Sequence, residues 1–227
     1  LLLALVVTFF PAFLVVIQPD LGTAILLMIS GLVAIFLAGA RWRYLLIMSA
    51  FIAAIAPYLW YQLHDHQRER IVTMFNPWAD PMGSGYHIIQ SQIAVGSAGI
   101  AGKGWLRGTQ SQLEFIPERN TDFIFAVYAE EFGFIGAVVL VVLYLFVVGR
   151  SLVLAYKVED SYSRLLVGSL ALTFFFYVFV NTAMVIGVLP VVGIPLPLIS
   201  YGGTSMVTLM AAFGIIMGAG THRRLMR

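Results

Sequence analysis

Hydrophobic positions along this chain cluster into long blocks. Apolar runs of membrane-crossing length lie at about 1–17, 21–40, 44–62, 123–148, 165–189 and 204–220. Helix is the open-ended structure that satisfies its own backbone in lipid. The pattern therefore predicts an all-α polytopic membrane protein, a single membrane domain over 1–227 with six transmembrane helices and one long loop, 63–122. The first run begins at Leu1, with no charged segment before it and no small-residue cleavage site after it. It reads as a truncated span with something N-terminal missing, not as a signal peptide.

Composition agrees. Hydrophobic residues make up 60% of the chain, charged residues 11%, and mean hydropathy is +0.93. A soluble domain could not cover that much apolar surface with so few charges. The absence of cysteine excludes a disulfide framework and a Cys-ligated metal site. A net charge of +2 is too small to suggest a nucleic-acid partner.

The basic residues set the expected orientation. Arg41 and Arg43 share one short connection, Arg150, Lys157 and Arg164 flank another, and Arg223, Arg224 and Arg227 form the tail, whereas 18–20 and 190–203 contain no Lys or Arg. This alternation places the basic connections and the C-terminus in the cytoplasm and the 63–122 loop outside. Asp20, Asp65, Glu69, Asp80, Glu114, Glu118 and Asp122 then lie on the outer side, so chemistry is expected there. Within the loop, Ile88, Ile89 and Ile93 predict an amphipathic helix lying in the membrane interface. Gly96, Gly99, Gly102 and Gly104 end it, and Trp78 and Trp105 suit headgroup depth.

Several residues are candidates for chemistry. Asp122 precedes an apolar helix, where it serves either as an N-cap or as a partly desolvated carboxylate able to accept a proton. Glu130 and Glu131 lie roughly 12 Å deeper at helical rise, at a depth where acids are costly. The helical turn puts Glu130 nearer the face of Asp122 and points Glu131 the other way, towards a basic group elsewhere; for either acid a structural ion pair and a substrate role are both open. Asp20, in Gln18-Pro19-Asp20-Leu21-Gly22-Thr23, caps the next helix or adds a second outer carboxylate. Asn181 sits in the fifth span, and the apolar segment from Pro190 to Gly203 contains prolines and glycines that forbid a regular helix. It reads as a structural crossing or as a cavity wall formed by Ser200, Tyr201, Gly202 and Gly203.

Residues 181–203 closely resemble the signature of the SEDS family (shape, elongation, division and sporulation). Gln18–Thr23 and Pro117–Phe125 are similar to two further family motifs. Gly102–Trp105 and Gly108–Phe115 look like the elongation members (the RodA branch) and not the division members (the FtsW branch). Thr204 stands where Ser is expected and Asn120 where His is usual. The resemblance implies about ten spans, of which roughly four precede this chain. It implies a bacterial inner-membrane peptidoglycan glycosyltransferase polymerising lipid II, the undecaprenyl-pyrophosphate disaccharide pentapeptide, during cell elongation and rod-shape maintenance. It further implies Asp122 as candidate general base, with Glu114 orienting it or a metal. Lys103, Arg107 and Arg119 would stabilise the leaving pyrophosphate, a task a divalent cation (Mg or Mn) could share. The implied partners are a class B penicillin-binding transpeptidase, other elongation-complex membrane proteins and membrane lipid. A flippase or transporter of the lipid-linked precursor, and a non-catalytic scaffold, remain open alternatives at this stage.

Overall fold

The computed structural model describes residues 2–18, 20–63, 65–83, 85–113, 115–116 and 118–221. Pro19, Glu114, Pro117 and the tail arginines Arg223, Arg224 and Arg227 lie outside the described residues. The described chain is helical: α1 (Leu2–Ile17), α2 (Leu21–Leu37), α3 (Trp42–Gln62), α4 (Asp65–Phe75), α5 (Tyr86–Ser97), α6 (Thr109–Gln112), α7 (Ile124–Lys157), α8 (Ser161–Ile186) and α9 (Gly203–Thr221). Helices α7, α8 and α9 are long and apolar enough to cross a membrane. The apolar helices α1 and α2, and the Trp42–Ile55 part of α3, are shorter. Large apolar side chains such as Phe134, Val142, Phe146 and Val207 are exposed. That is the surface of a multi-pass membrane protein, for which lipid is the solvent.

Helices α7 and α8 form the centre, with α5 packed against both, α9 across them, and α2 on the far side of α8 next to α1. The core contains Phe123, Phe125, Leu140, Tyr144, Phe174 and Met184. Starts and stops follow local chemistry. Asp20 caps α2 by accepting from Thr23 N at 3.0 Å, and Asp160 caps α8 by accepting from Ser163 N at 2.8 Å. Gly187 ends α8 in the left-handed conformation at φ 86°. Arg68 of α4 caps α3, donating to the carbonyls of Trp60 (2.8 Å) and Tyr61 (2.7 Å).

Two expectations need correction. The helix predicted for the interface, α5, is docked against protein: Ile88, Ile89, Ser91 and Ala94 are buried on α7 and α8. Ser91 Oγ donates to Val185 O at 3.0 Å, and only Ile93 of the expected apolar trio is exposed. The fourth apolar run is longer than 123–148 and is interrupted. Gly133 has φ 68° and ψ −165°, a conformation essentially reserved for glycine.

The interruption frees backbone groups, and the loop after α5 satisfies them. Lys103 N and Gly104 N donate to the carbonyls of Glu130 (3.0 Å) and Glu131 (2.9 Å). Phe134 N and Ile135 N donate to those of Gly99 (3.0 Å) and Ile100 (3.1 Å). The two backbones meet at Gly102 and Gly133: a Cβ on Gly102 would strike the Glu131 carbonyl, and one on Gly133 would strike Gly102 N. Gly102→Ala or Gly133→Ala in the full-length polypeptide should each lower stability by about 1–3 kcal/mol, as forced overpacking does. Gly149→Ala, which meets nothing within 4 Å, should be neutral or slightly stabilising. Thermal unfolding in detergent checks this. Equal midpoints for all three variants would exclude the backbone interlock.

Candidate functional site

The site is assembled where the turn before α7 meets the irregular segment after α8. That segment runs through apolar surroundings without helical hydrogen bonds, so its polar groups need specific partners. Asn181 Nδ2, fully buried, donates to Asp122 O (2.8 Å) and Ile194 O (2.6 Å). Ser200 Oγ accepts from Leu196 N at 2.7 Å and donates to Thr121 O, while Tyr201 N donates to Asn120 O at 2.8 Å. Tyr144 Oη donates to Pro197 O at 2.6 Å, and Met184 Sδ accepts from Val192 N at 3.3 Å. Gly22 of α2 lies directly against the Val192 carbonyl, where any side chain would collide. The two signature stretches thus meet in space, and much of their unusual composition serves this seam.

Asp122 is half-buried on the seam, and it is not the N-cap. Phe123 occupies that position without a side-chain cap bond. The Asp122 carboxylate faces Gly193, 3.5 Å from where a side chain there would begin. Gly193 has φ 71°, so glycine both permits the turn and leaves room before the carboxylate. Burial, chiefly, and the nearby Glu118 carboxylate raise the Asp122 carboxyl above its ordinary range, against the opposing pull of the Arg70 guanidinium. Arg70 comes from α4 and donates to Val191 O at 3.3 Å. His87 stacks on Phe123 at 5.9 Å, and burial lowers its pKa while Glu118 opposes the shift.

Beside the seam lie two clefts. One, of about 640 Å³, is walled by Asn120, Ile124, Ser200, Tyr201, Gly202 and Gly203 with Ile199 and Met206. The other, of about 440 Å³, lies between α7 and the residues around 105–120, and shares Asn120, Ile124 and Ile199 with the first. Asp122 lines neither of them but sits on the turn whose Asn120 lines both.

The two deep acids, for each of which the sequence left an ion pair or a substrate role open, differ in the structure. Glu130, not Glu131, carries the ion pair: it is fully buried and meets Lys103 Nζ at 2.7 Å. Its carboxylate also accepts from Thr109 Oγ1 (3.1 Å), Gln110 N (3.0 Å) and Ser111 N (3.2 Å), which closes α6 onto α7. Ser111 O in turn accepts from Arg119 Nη1 at 2.6 Å, so the backbone of one residue, Ser111, links the buried carboxylate to a guanidinium in the smaller cleft. Glu131 lines that cleft instead.

The other sequence candidates are spread out. Lys103 is occupied by Glu130 and Thr109 and is no free cation. Arg107 is exposed and lines neither cleft. Asp20 is exposed and engaged as a cap. Glu114 lies outside the described residues. Among the described residues no three His, Asp or Glu side chains converge on a metal-sized site. Sequence reasoning missed Arg70. Its contact with the seam spans 121 residues of sequence, so no local pattern signals it.

Replacing Glu130 by Gln keeps its shape but leaves Lys103 and the α6 amides with a weaker acceptor. Losing a charge-assisted bond at a buried group costs about 1.5–3 kcal/mol. Hydrogen-exchange protection of 103–113 should therefore fall by about 10-fold or more in Glu130→Gln, and unchanged protection would show that the carboxylate does not hold the loop.

The family model of FtsW, RodA and SpoVE cell cycle proteins matches residues 1–225. Peptidoglycan glycosyltransferase MrdB of Escherichia coli (strain K12) is 53% identical over 225 residues, covering 99% of this chain and 61% of the relative. Peptidoglycan glycosyltransferase RodA of Treponema pallidum is 44% identical over 155 residues, covering 68% of this chain and 36% of that protein. A solved structure described as the structural coordination of polymerization and crosslinking by a peptidoglycan synthase complex superposes with a TM-score of 0.82 at 34% identity. That superposition covers 99% of this chain and 62% of the other. The chain therefore spans somewhat less than two thirds of the length of the Escherichia coli relative it matches. With a family model matched almost end to end, and the family's motifs brought together at one seam, this chain belongs to the FtsW/RodA/SpoVE family of cell cycle proteins.

Proposed function

We propose that the full-length polypeptide is a peptidoglycan glycosyltransferase of the elongation type, polymerising lipid II into glycan strands at the outer face of the bacterial inner membrane. The reading is carried by one observation: Asp122 is a half-buried carboxylate raised above its ordinary range, on the turn that also builds the clefts. A sugar hydroxyl is a weak nucleophile unless its proton is accepted as it attacks. In the proposed step the 4-hydroxyl oxygen of the acceptor sugar bonds to the anomeric carbon of the donor. The bond from that carbon to the pyrophosphate oxygen breaks, undecaprenyl pyrophosphate leaves, and Asp122 takes the hydroxyl proton. Gly193 leaves space for the acceptor before the carboxylate, and Arg70, which acts on Asp122, and Arg119, which lines the smaller cleft, are cations that could steady the departing charge. The transport reading is less well supported, because the break in α7 that would suggest a moving half-helix is filled by loop backbone.

Six spans with the C-terminus inside and 63–122 outside complete the proposal. The partner is a class B penicillin-binding transpeptidase, as the likeness to a peptidoglycan synthase complex suggests. In intact spheroplasts a cysteine at Met82, which is 88% exposed, should react with a membrane-impermeant thiol reagent, and one at Tyr162, 73% exposed, should not. These 227 residues contain no Cys to obscure the result, and labelling at Tyr162 alone would invert the orientation.

The chemical test is Asp122→Asn in the full-length polypeptide, assayed with lipid II and a gel of glycan products. Because Asp122 caps no helix, insertion and folding should be unaffected, while polymerisation falls by about 10² to 10⁴-fold. In the unmodified protein the acid limb of the rate profile should lie above the ordinary carboxylate range, since a raised pKa keeps Asp122 protonated to higher pH. Normal insertion with most activity retained would place the proton acceptor elsewhere.

A further inference from the structure

Next to the saturated Glu130, α7 carries a carboxylate that its own chain leaves unanswered. Glu131 is only 6% exposed, yet no described side chain donates to it or pairs with it. It shares with Ile124, Val127 and Tyr128 the face of α7 that lines the 440 Å³ cleft. Seven residues into the helix, it lies about 10 Å below the helix start. A bare carboxylate at that depth is costly unless the cleft itself brings donors.

The rest of the lining indicates which donors. Trp105 of the loop and Tyr128 of α7 pack on Phe132, with ring centroids at 5.6 and 4.7 Å, so the cleft offers aromatic surface. Gln112, Asn120 and the Arg119 guanidinium, held by Ser111 O, add polar groups to the lining. An anionic ligand is opposed by Glu131 and a simple cation by Arg119. A neutral ring with one apolar face and an edge of hydroxyls satisfies the acid, the amides and the aromatic wall together.

We infer that this cleft is a saccharide subsite, in which Glu131 accepts hydrogen bonds from the hydroxyls of a neutral sugar ring flanked by Trp105 and Tyr128. The ring belongs to the lipid-linked donor or to the growing glycan. The inference rests on the glycosyl-transfer reading above and adds to it a binding residue that the Asp122 chemistry does not use. Glu131 binds and orients, and no proton transfer is assigned to it.

The test uses full-length Glu131→Gln and Trp105→Ala in proteoliposomes supplied with lipid II. Trp105 is 68% exposed, so its truncation leaves the core intact even where Glu131→Gln fails to fold. If the ring is the donor's, KM for lipid II rises about 10-fold, the worth of a hydrogen bond to a charged group, and kcat falls less than that. If the ring belongs to the growing glycan, KM holds and the product strands shorten. Folded variants with unchanged KM and unchanged strand length overturn the subsite. Should the unmodified full-length polypeptide make no polymer at all, it is the polymerase reading that has failed. Binding of fluorescent lipid II then decides the subsite: binding weakened by both substitutions supports it, and equal binding overturns it.

Discussion

A peptide group that lipid cannot hydrate must find its partner within the protein, and this constraint governs the molecule at two places. The first is the interruption of α7 at Gly133, where four backbone bonds to residues 99–104 replace those the helix loses. The second is the irregular stretch after α8, which is held by Asn181, Ser200, Tyr144 and the Asn120 carbonyl. Each repair recruits a neighbouring segment, and each recruited segment carries polar side chains that become the site. The loop that fills the α7 break brings Lys103 to Glu130. The turn that braces the irregular stretch brings Asp122 against Gly193 and places Asn120 in both clefts.

Much of this was legible in the sequence where the signal is local. The apolar blocks gave the major helices to within a few residues at most ends, and the Asp20 cap followed from residue type and position. Prolines and glycines between Pro190 and Gly203 correctly excluded a regular helix there. What failed depended on pairing between distant segments. Gly133 looks like an ordinary small residue inside an apolar run, and only its contact with Gly102 makes it a break. The same contact set the surroundings of α5, because a helix whose following loop is threaded into α7 turns Ile88 and Ile89 onto protein. The different surroundings of Glu130 and Glu131 have the same origin: projection along a regular helix cannot foresee a loop that delivers a lysine and two amides to one acid alone.

The three acids around the site are treated differently, and the differences separate their chemistry. Glu130 is surrounded by donors from its own chain, which holds it in place as an anchor. Asp122 has a second carboxylate nearby and partial burial, both of which favour the protonated form and make its ionised state a better proton acceptor. Glu131 lines a cleft with no described side chain donating to it, which leaves its carboxylate available to a bound group.

These treatments are mechanically linked. Arg119 is fixed through Ser111 to Glu130, so the anchor acid sets the position of a cation in the cleft that Glu131 lines. Asn181 fixes the Asp122 peptide, so the buried amide sets the height of the candidate base relative to Gly193. A sugar ring held against Glu131 and a hydroxyl presented to Asp122 would then be registered by two rigid backbone seams meeting at Asn120, not by flexible side chains. Reactions between two bound sugars gain most from such registration, because misplacing either partner by about 1 Å forfeits much of the advantage of proximity. The glycine pair that closes the α7 break and the glycine that faces Asp122 therefore belong to the same design as the acids, since each lets one backbone approach another closely enough to set that register.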